Sequence, residues 1–180
     1  HDPDDGKSIE PGWVPGDRVN FDQVMAGAYP ALAGLAGHIG DPAVRNRGTI
    51  GGSIASNDPA ADYPAALVGL GGTVVTTSRE VVADDFFTGM FETVLAAGEL
   101  ITAVRFRIPK VAHYMKFDNP ASRYALVGVM VAQTDDGIRV AVTGAAPCVF
   151  RMDEMEAALT ADFRPEVIEN ITMAADGLNS

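Results

Sequence analysis

Cysteine is almost absent from the 180-residue sequence, where Cys148 stands alone. One thiol excludes a disulfide framework, a cysteine-built zinc site and a thiolate-ligated iron–sulfur cluster within this chain. Following Pro147, Cys148 reads as a small residue near a turn. Basic residues are also scarce, 13 against 24 acidic ones, for a net charge of −11. Such a surface repels phosphate backbones, which argues against nucleic acid as a partner. No run approaches the roughly 20 apolar residues of a membrane span. No basic-then-apolar N-terminus suggests export, so the cytoplasm, the inner face of its membrane included, is the expected compartment. The three histidines, His1, His38 and His113, have no serine or cysteine partner in a triad-like motif, and no catalytic residue is assigned. Neither G-x-G-x-x-G nor G-x-x-x-x-G-K-[ST] occurs.

What is present is ordinary for a globular protein with a real core: 47% hydrophobic and 21% charged residues, which rules against disorder of the whole chain. Residues 1–20, rich in Pro, Gly and Asp, read as a tail or loop. From Phe21 onward, Val24, Ala28, Ala31, Leu32, Leu35 and Ile39 recur at helical spacing, with Pro30 either kinking the helix or opening a second one. Residues 40–62 read as irregular and Gly-rich. A short helix over 60–70, ended by Gly71 and Gly72, leads into a strand over 73–77 that Val81 and Val82 can pair with. A helical turn over 84–89 and a strand over 100–108 follow. Strands over 114–117, 125–133 and 138–143 come next, the last two joined by an Asp-Asp-Gly turn, and then helices over 152–159 and 165–171. This order predicts an α+β fold in two lobes, with the strands from Leu100 onward in one antiparallel sheet with helices on one face.

One constellation carries chemistry. In RNRGTIGGSIASNDPAADYP, residues 45–64, the pair Gly51–Gly52 is flanked by the hydroxyls of Thr49 and Ser53, with Asp58 and Asp62 downstream. Glycines let backbone N–H groups approach a phosphate closely, and a carboxylate some ten residues on suits ribose or polyol hydroxyls. On chemistry alone the plainer alternative stays open: a Gly-Gly turn between strands, with Asp62 capping the next helix.

The segment GDPAVRNRGTIGGSIASNDPAADYPAAL resembles the second flavin-binding segment of the medium subunits of molybdenum hydroxylases, the family of carbon monoxide dehydrogenase. AAGELITAVRFRIP and AHYMKFDNPASRYALVGV are similar to the strand pair that follows it there. The resemblance runs from about Val24 to Ser180. It implies a remnant of a flavin-binding α+β domain over 21–98, then a C-terminal unit over 99–180 with a three-stranded antiparallel sheet and helices on one face.

The resemblance further implies FAD as cofactor. Thr49, Gly51, Gly52 and Ser53 stand where the family binds the pyrophosphate, and Asp62 where a carboxylate meets ribose or ribityl hydroxyls. Ile39 and Ile101 match apolar positions near the isoalloxazine ring, Lys116 a basic residue near the cofactor, and Tyr124 a residue beside the ring. It implies an oxidoreductase subunit that passes electrons from iron–sulfur clusters through FAD to an external acceptor. The molybdenum cofactor would then lie on a large partner subunit and the 2Fe–2S clusters on a small one. Two departures stand out: Ser53 replaces a common Asn, and nothing in residues 1–38 resembles the family's other Gly-rich loop, of the Ala-Gly-Gly-X-Ser type. A truncated subunit with a half-built pyrophosphate site is expected. Apolar surface around Ile39, Ile50 and Ile54 would then be exposed and drive homo-oligomers. Two alternatives are a docking module that binds no FAD and an unrelated nucleotide enzyme sharing only a Gly-Gly turn.

Overall fold

The computed structural model describes residues 8–9, 29–40 and 42–173. Helix α1 (Pro30–Gly37) begins with Pro30 at its first position, where the missing N–H costs nothing. Residues 24–28 of the expected longer helix lie outside the described residues. Two further helices, α2 (Pro42–Arg47) and α3 (Ile50–Ser56), occupy the stretch read as irregular. Glycine and proline lower helix propensity, but Pro42 opens the first turn of α2, and Gly51 and Gly52 fall in the first turn of α3, which Thr49 caps. Helix α4 (Tyr63–Gly69) follows, every residue after Tyr63 buried.

The first sheet has the order β1-β6-β2-β3, built from β1 (Ser8–Ile9), β2 (Thr73–Thr76), β3 (Glu80–Val82) and β6 (Ile101–Arg105). All its pairings are antiparallel, Val74 facing both Val81 and Val104. Two expectations are corrected here. The stretch 1–20 is not all tail, since Ser8 and Ile9 pair with Arg105 and Val104. The strand at Ile101–Arg105 belongs to this sheet and not to the C-terminal one. Its neighbour in sequence carried no information about its neighbour in space. A turn of 3-10 helix at Ala83–Asp85 and a small hairpin, β4 (Phe87–Gly89) with β5 (Glu92–Thr93), fill the connection.

The second sheet, β10-β9-β8-β7, comprises β7 (Val111–Asp118), β8 (Ala125–Thr134), β9 (Gly137–Thr143) and the two-residue β10 (Phe150–Arg151). Its three long strands are those read from sequence, β7 running further at both ends. Side chains alternate across it. Tyr114, Met130, Ala132 and Ala141 join the main core with α1 and α4 on one face, while Val129, Val131, Ile138 and Val140 meet α5 (Asp153–Ala161) and the 3-10 helix Pro165–Ile168 on the other. The C-terminal helices thus lie on one face, and the main core runs unbroken from Tyr29 through Phe106 to Val149.

The expected exposed surface is also corrected. Ile54 is fully buried, and Ile39 and Ile50 are half-buried, because α3 packs against α4 and β6. Exposed apolar side chains concentrate instead on the outer side of β7 and β8: Val111, Met115, Phe117 and Val127, with Phe117 71% accessible. Phe117 pairs with Val127 and Met115 with Val129, so they form one stripe beside the part of the face that α5 covers.

Candidate flavin site

The Gly-Gly motif folds as the first turn of α3, not as a loop. Thr49 is its N-cap, in extended conformation, and its Oγ1 accepts a hydrogen bond from the Gly52 N–H at 3.0 Å. By helix geometry the N–H groups of Ile50 and Gly51 have no acceptor within the helix. The turn is also bare. Gly52 is exposed, and a Cβ there would stand 2.9 Å from Thr49 Oγ1. Gly51 lies over β6, where its Cβ would sit 3.8 Å from Ile101 Cγ2. Thr49, Gly51, Gly52, Ser53 and Ile101 are thereby gathered in one place by the packing of α3 on β6.

The remaining expected residues gather around a buried ion pair. Lys116 on β7 has a side chain only 2% accessible and lies 3.2 Å from Asp62 Oδ2. Its ammonium also donates to the carbonyls of His38, at 2.6 Å, and Arg123, at 3.2 Å, and stands 3.6 Å from Asp118. Lys116 therefore draws the backbone preceding Ile39 and the backbone preceding Tyr124 to one point. Gly40 closes this contact, because a Cβ there would overlap that of Arg123. Asp62 occupies the N-cap position of α4 but makes no capping bond; its other oxygen accepts from the Tyr114 hydroxyl. Burial pushes the Asp62 carboxyl up, opposed by the Tyr114 hydroxyl and the Lys116 ammonium. Burial, and then the negative charge of Asp62, push the Tyr114 hydroxyl up. Tyr124, immediately before β8, is 40% accessible.

The nine expected residues thus fall in two groups, one on α3 and β6 and one on the segments around Lys116, and α3 packs against α4, whose N-cap is Asp62. The sequence reading missed Tyr114 and Asn57. Tyr114 was within reach of it: two residues before Lys116 on a strand, it had to share that side chain's face. Asn57 gave no such signal, since its side-chain partners lie more than 30 positions away.

Residues 13–110 match the family model described as the FAD binding domain in molybdopterin dehydrogenase. That is more than half of the chain. The chain belongs to this family. Within it, the chain is 37% identical to the nicotine 6-hydroxylase medium subunit of Paenarthrobacter nicotinovorans, over 81% of this chain and 55% of that one. It is 35% identical to the carbon monoxide dehydrogenase medium chain of Hydrogenophaga pseudoflava, over 72% of this chain and 50% of that one. The fold superposes on the solved carbon monoxide dehydrogenase from Hydrogenophaga pseudoflava with a TM-score of 0.73 at 34% identity, covering 81% of this chain and 55% of that one. The chain spans about half the length of these relatives. The family's cofactor is FAD, and the residues present fit part of it: a helical turn where Gly51 and Gly52 carry no side chain, with two N–H groups lacking helical acceptors, flanked by the hydroxyls of Thr49 and Ser53, beside the aliphatic Ile101. Among the described residues no helix is long and apolar enough to cross a membrane.

Proposed function

We propose that the chain is the FAD-carrying part of a medium subunit of a molybdenum hydroxylase of the carbon monoxide dehydrogenase kind. Electrons would arrive from 2Fe–2S clusters on a small partner subunit, fed by a molybdenum cofactor on a large one, and leave for an external acceptor. The protein would work in the cytoplasm. FAD supplies the redox chemistry when bound; the chain's own residues hold, orient and shield it. Thr49, Gly51, Gly52 and Ser53 receive the pyrophosphate. Ile39 and Ile101 pack near the isoalloxazine ring, with Lys116 and Tyr124 beside it. Asp62 meets ribose or ribityl hydroxyls through lone pairs left over after Tyr114 and Lys116, since a carboxylate has about four acceptor positions. Residues 21–98 together with β6 form the flavin-binding part, and the rest of 99–180 the sheet-and-helix unit.

The observation that carries this reading is the family match across the Thr49–Ser53 turn, together with the contact that turn makes with Ile101. The test is titration with FAD followed by flavin fluorescence quenching, on the wild type and on Gly52→Val. Weak saturable binding, as a half-built pyrophosphate site allows, that Gly52→Val abolishes with unchanged far-UV circular dichroism is the expected result. Equal binding by both proteins would refute the placement of the site, and no binding by the wild type would refute the reading.

A docking role stands beside it, favoured by the bare stripe of Val111, Met115, Phe117 and Val127. Contiguous apolar surface of this kind commonly marks an interface, with partner subunits or with a second copy of this chain.

A further inference from the structure

Asn57 combines several features that each cost free energy. It is fully buried, its backbone sits in the left-handed region at φ 43°, and its side-chain Oδ1 has no hydrogen-bond partner. Left-handed backbone is tolerated by asparagine but still unfavourable, and a buried unpaired carbonyl costs more. Its other polar groups all make long-range or capping bonds. Nδ2 donates to the Gly89 carbonyl at 2.6 Å and to the Glu92 carbonyl at 2.8 Å. Its own carbonyl accepts from the Phe91 N–H at 3.1 Å, and its N–H donates to Ser53 at 3.2 Å, closing the last turn of α3. The turn it grips is itself unusual. Phe91 has φ 57° and is 60% accessible, beside Met90 at 50%.

We propose that Asn57 is a positioning residue for the flavin turn, holding α3 and the Gly89–Glu92 turn as one rigid unit. The inference rests on the reading of Thr49–Ser53 as the pyrophosphate turn. Helix α3 has only seven residues, about 10 Å at 1.5 Å per residue, so fixing its C-terminal end fixes Gly51 and Gly52 at the other. The three bonds to the 89–92 turn are its lateral anchor, and the aromatic tip is the part of the unit that faces solvent.

Native-state hydrogen exchange on the unaltered protein is the first test. The amides of Ser53, Asn57 and Phe91 should open together, with one denaturant dependence; separate openings would overturn the proposal. The second is Asn57→Gly, which keeps the left-handed backbone and removes the carboxamide, with Asn57→Asp as the isosteric variant lacking the two donors. Both should exchange the α3 amides at least tenfold faster while β8 and β9 are unaffected, bind FAD at least tenfold more weakly, and shift the visible circular dichroism of bound flavin. Unchanged flavin affinity and dichroism in a variant that folds would overturn it. Should the wild type bind no FAD, the functional reading fails, and the joint opening alone decides whether Asn57 couples the two segments.

Discussion

Asp62 and Lys116 are 54 positions apart, and their side chains are 6% and 2% accessible. Removing one partner of such a pair leaves the other charge buried and uncompensated, which costs roughly 3–5 kcal/mol. Asp62→Ala is therefore expected to lower stability by about that amount, towards the low end because Asp118 and two carbonyls remain around the ammonium. Urea unfolding measures it, and a loss under about 1 kcal/mol would mean that the pair behaves as an exposed one. The double variant Asp62→Leu/Lys116→Met should recover most of the loss. Any effect of Asp62→Ala on FAD must be corrected for this unfolding. Glu99 gives a second prediction. Its carboxylate accepts from the Ala96 N–H, then from Thr76 and Arg79, and is held down to about 2 from an ordinary value of 4.5. A depressed carboxylate stabilises the fold above its unfolded value and loses that contribution as pH falls through the folded one. Glu99→Gln should thus lower Tm at neutral pH, and the gap from wild type should close between pH 4.5 and about 2. A gap that persists at the acid end would show that charge is not its source.

At the scale of elements, two glycines on helices are expected to behave oppositely. A Cβ on Gly69 in α4 would lie 2.5 Å from Met130 Cγ and 2.9 Å from its Cβ, inside the contact between α4 and β8. Gly69→Ala should cost roughly 1–3 kcal/mol, as overpacking does. Gly52 is exposed, and its Cβ would meet only the end of the Thr49 side chain. Gly52→Val should therefore cost no more than a lost cap, about 1 kcal/mol, while removing FAD binding. Thermal melts read the first and flavin quenching the second. The difference between what was legible in the sequence and what was not follows the same physics. Strands β8 and β9 announce themselves by apolar runs around an Asp-Asp-Gly turn, and α5 by an amphipathic period. Helices α2 and α3 do not, because their glycines, proline and short length leave no periodicity to read. The Gly-Gly motif was legible through resemblance, yet its conformation was not. The partnership of Asp62 with Lys116 joins segments that no local pattern connects.

For the whole molecule, the bare stripe on β7 and β8 predicts association. Among the described residues strand β7 is an edge strand, eight residues long, and its outward side chains Val111, His113, Met115 and Phe117 include no Lys, Arg, Asp or Glu of the kind that usually protects an edge. Sedimentation velocity is expected to show concentration-dependent dimers or larger species. Met115→Lys with Phe117→Glu should return the protein to a monomer without changing the Asn57 or Lys116 contacts. A wild type that stays monomeric at high concentration would assign no self-association to this face.

The position of β6 has a consequence for the order in which the chain acquires its shape. It lies between β1 and β2, so the first sheet cannot be continuous until Ile101–Arg105 has been made. During synthesis, which proceeds at about 5–20 residues per second, the Gly51–Gly52 turn emerges well before the strand that supports it. Residues Ser8 and Ile9 must wait longer still for Arg105 and Val104. Such distant pairings slow folding, since the chain must close a large loop before any contact rewards it. A flavin encountered early would thus find only the turn, and the nascent chain should take up FAD only after Arg105 has left the ribosome.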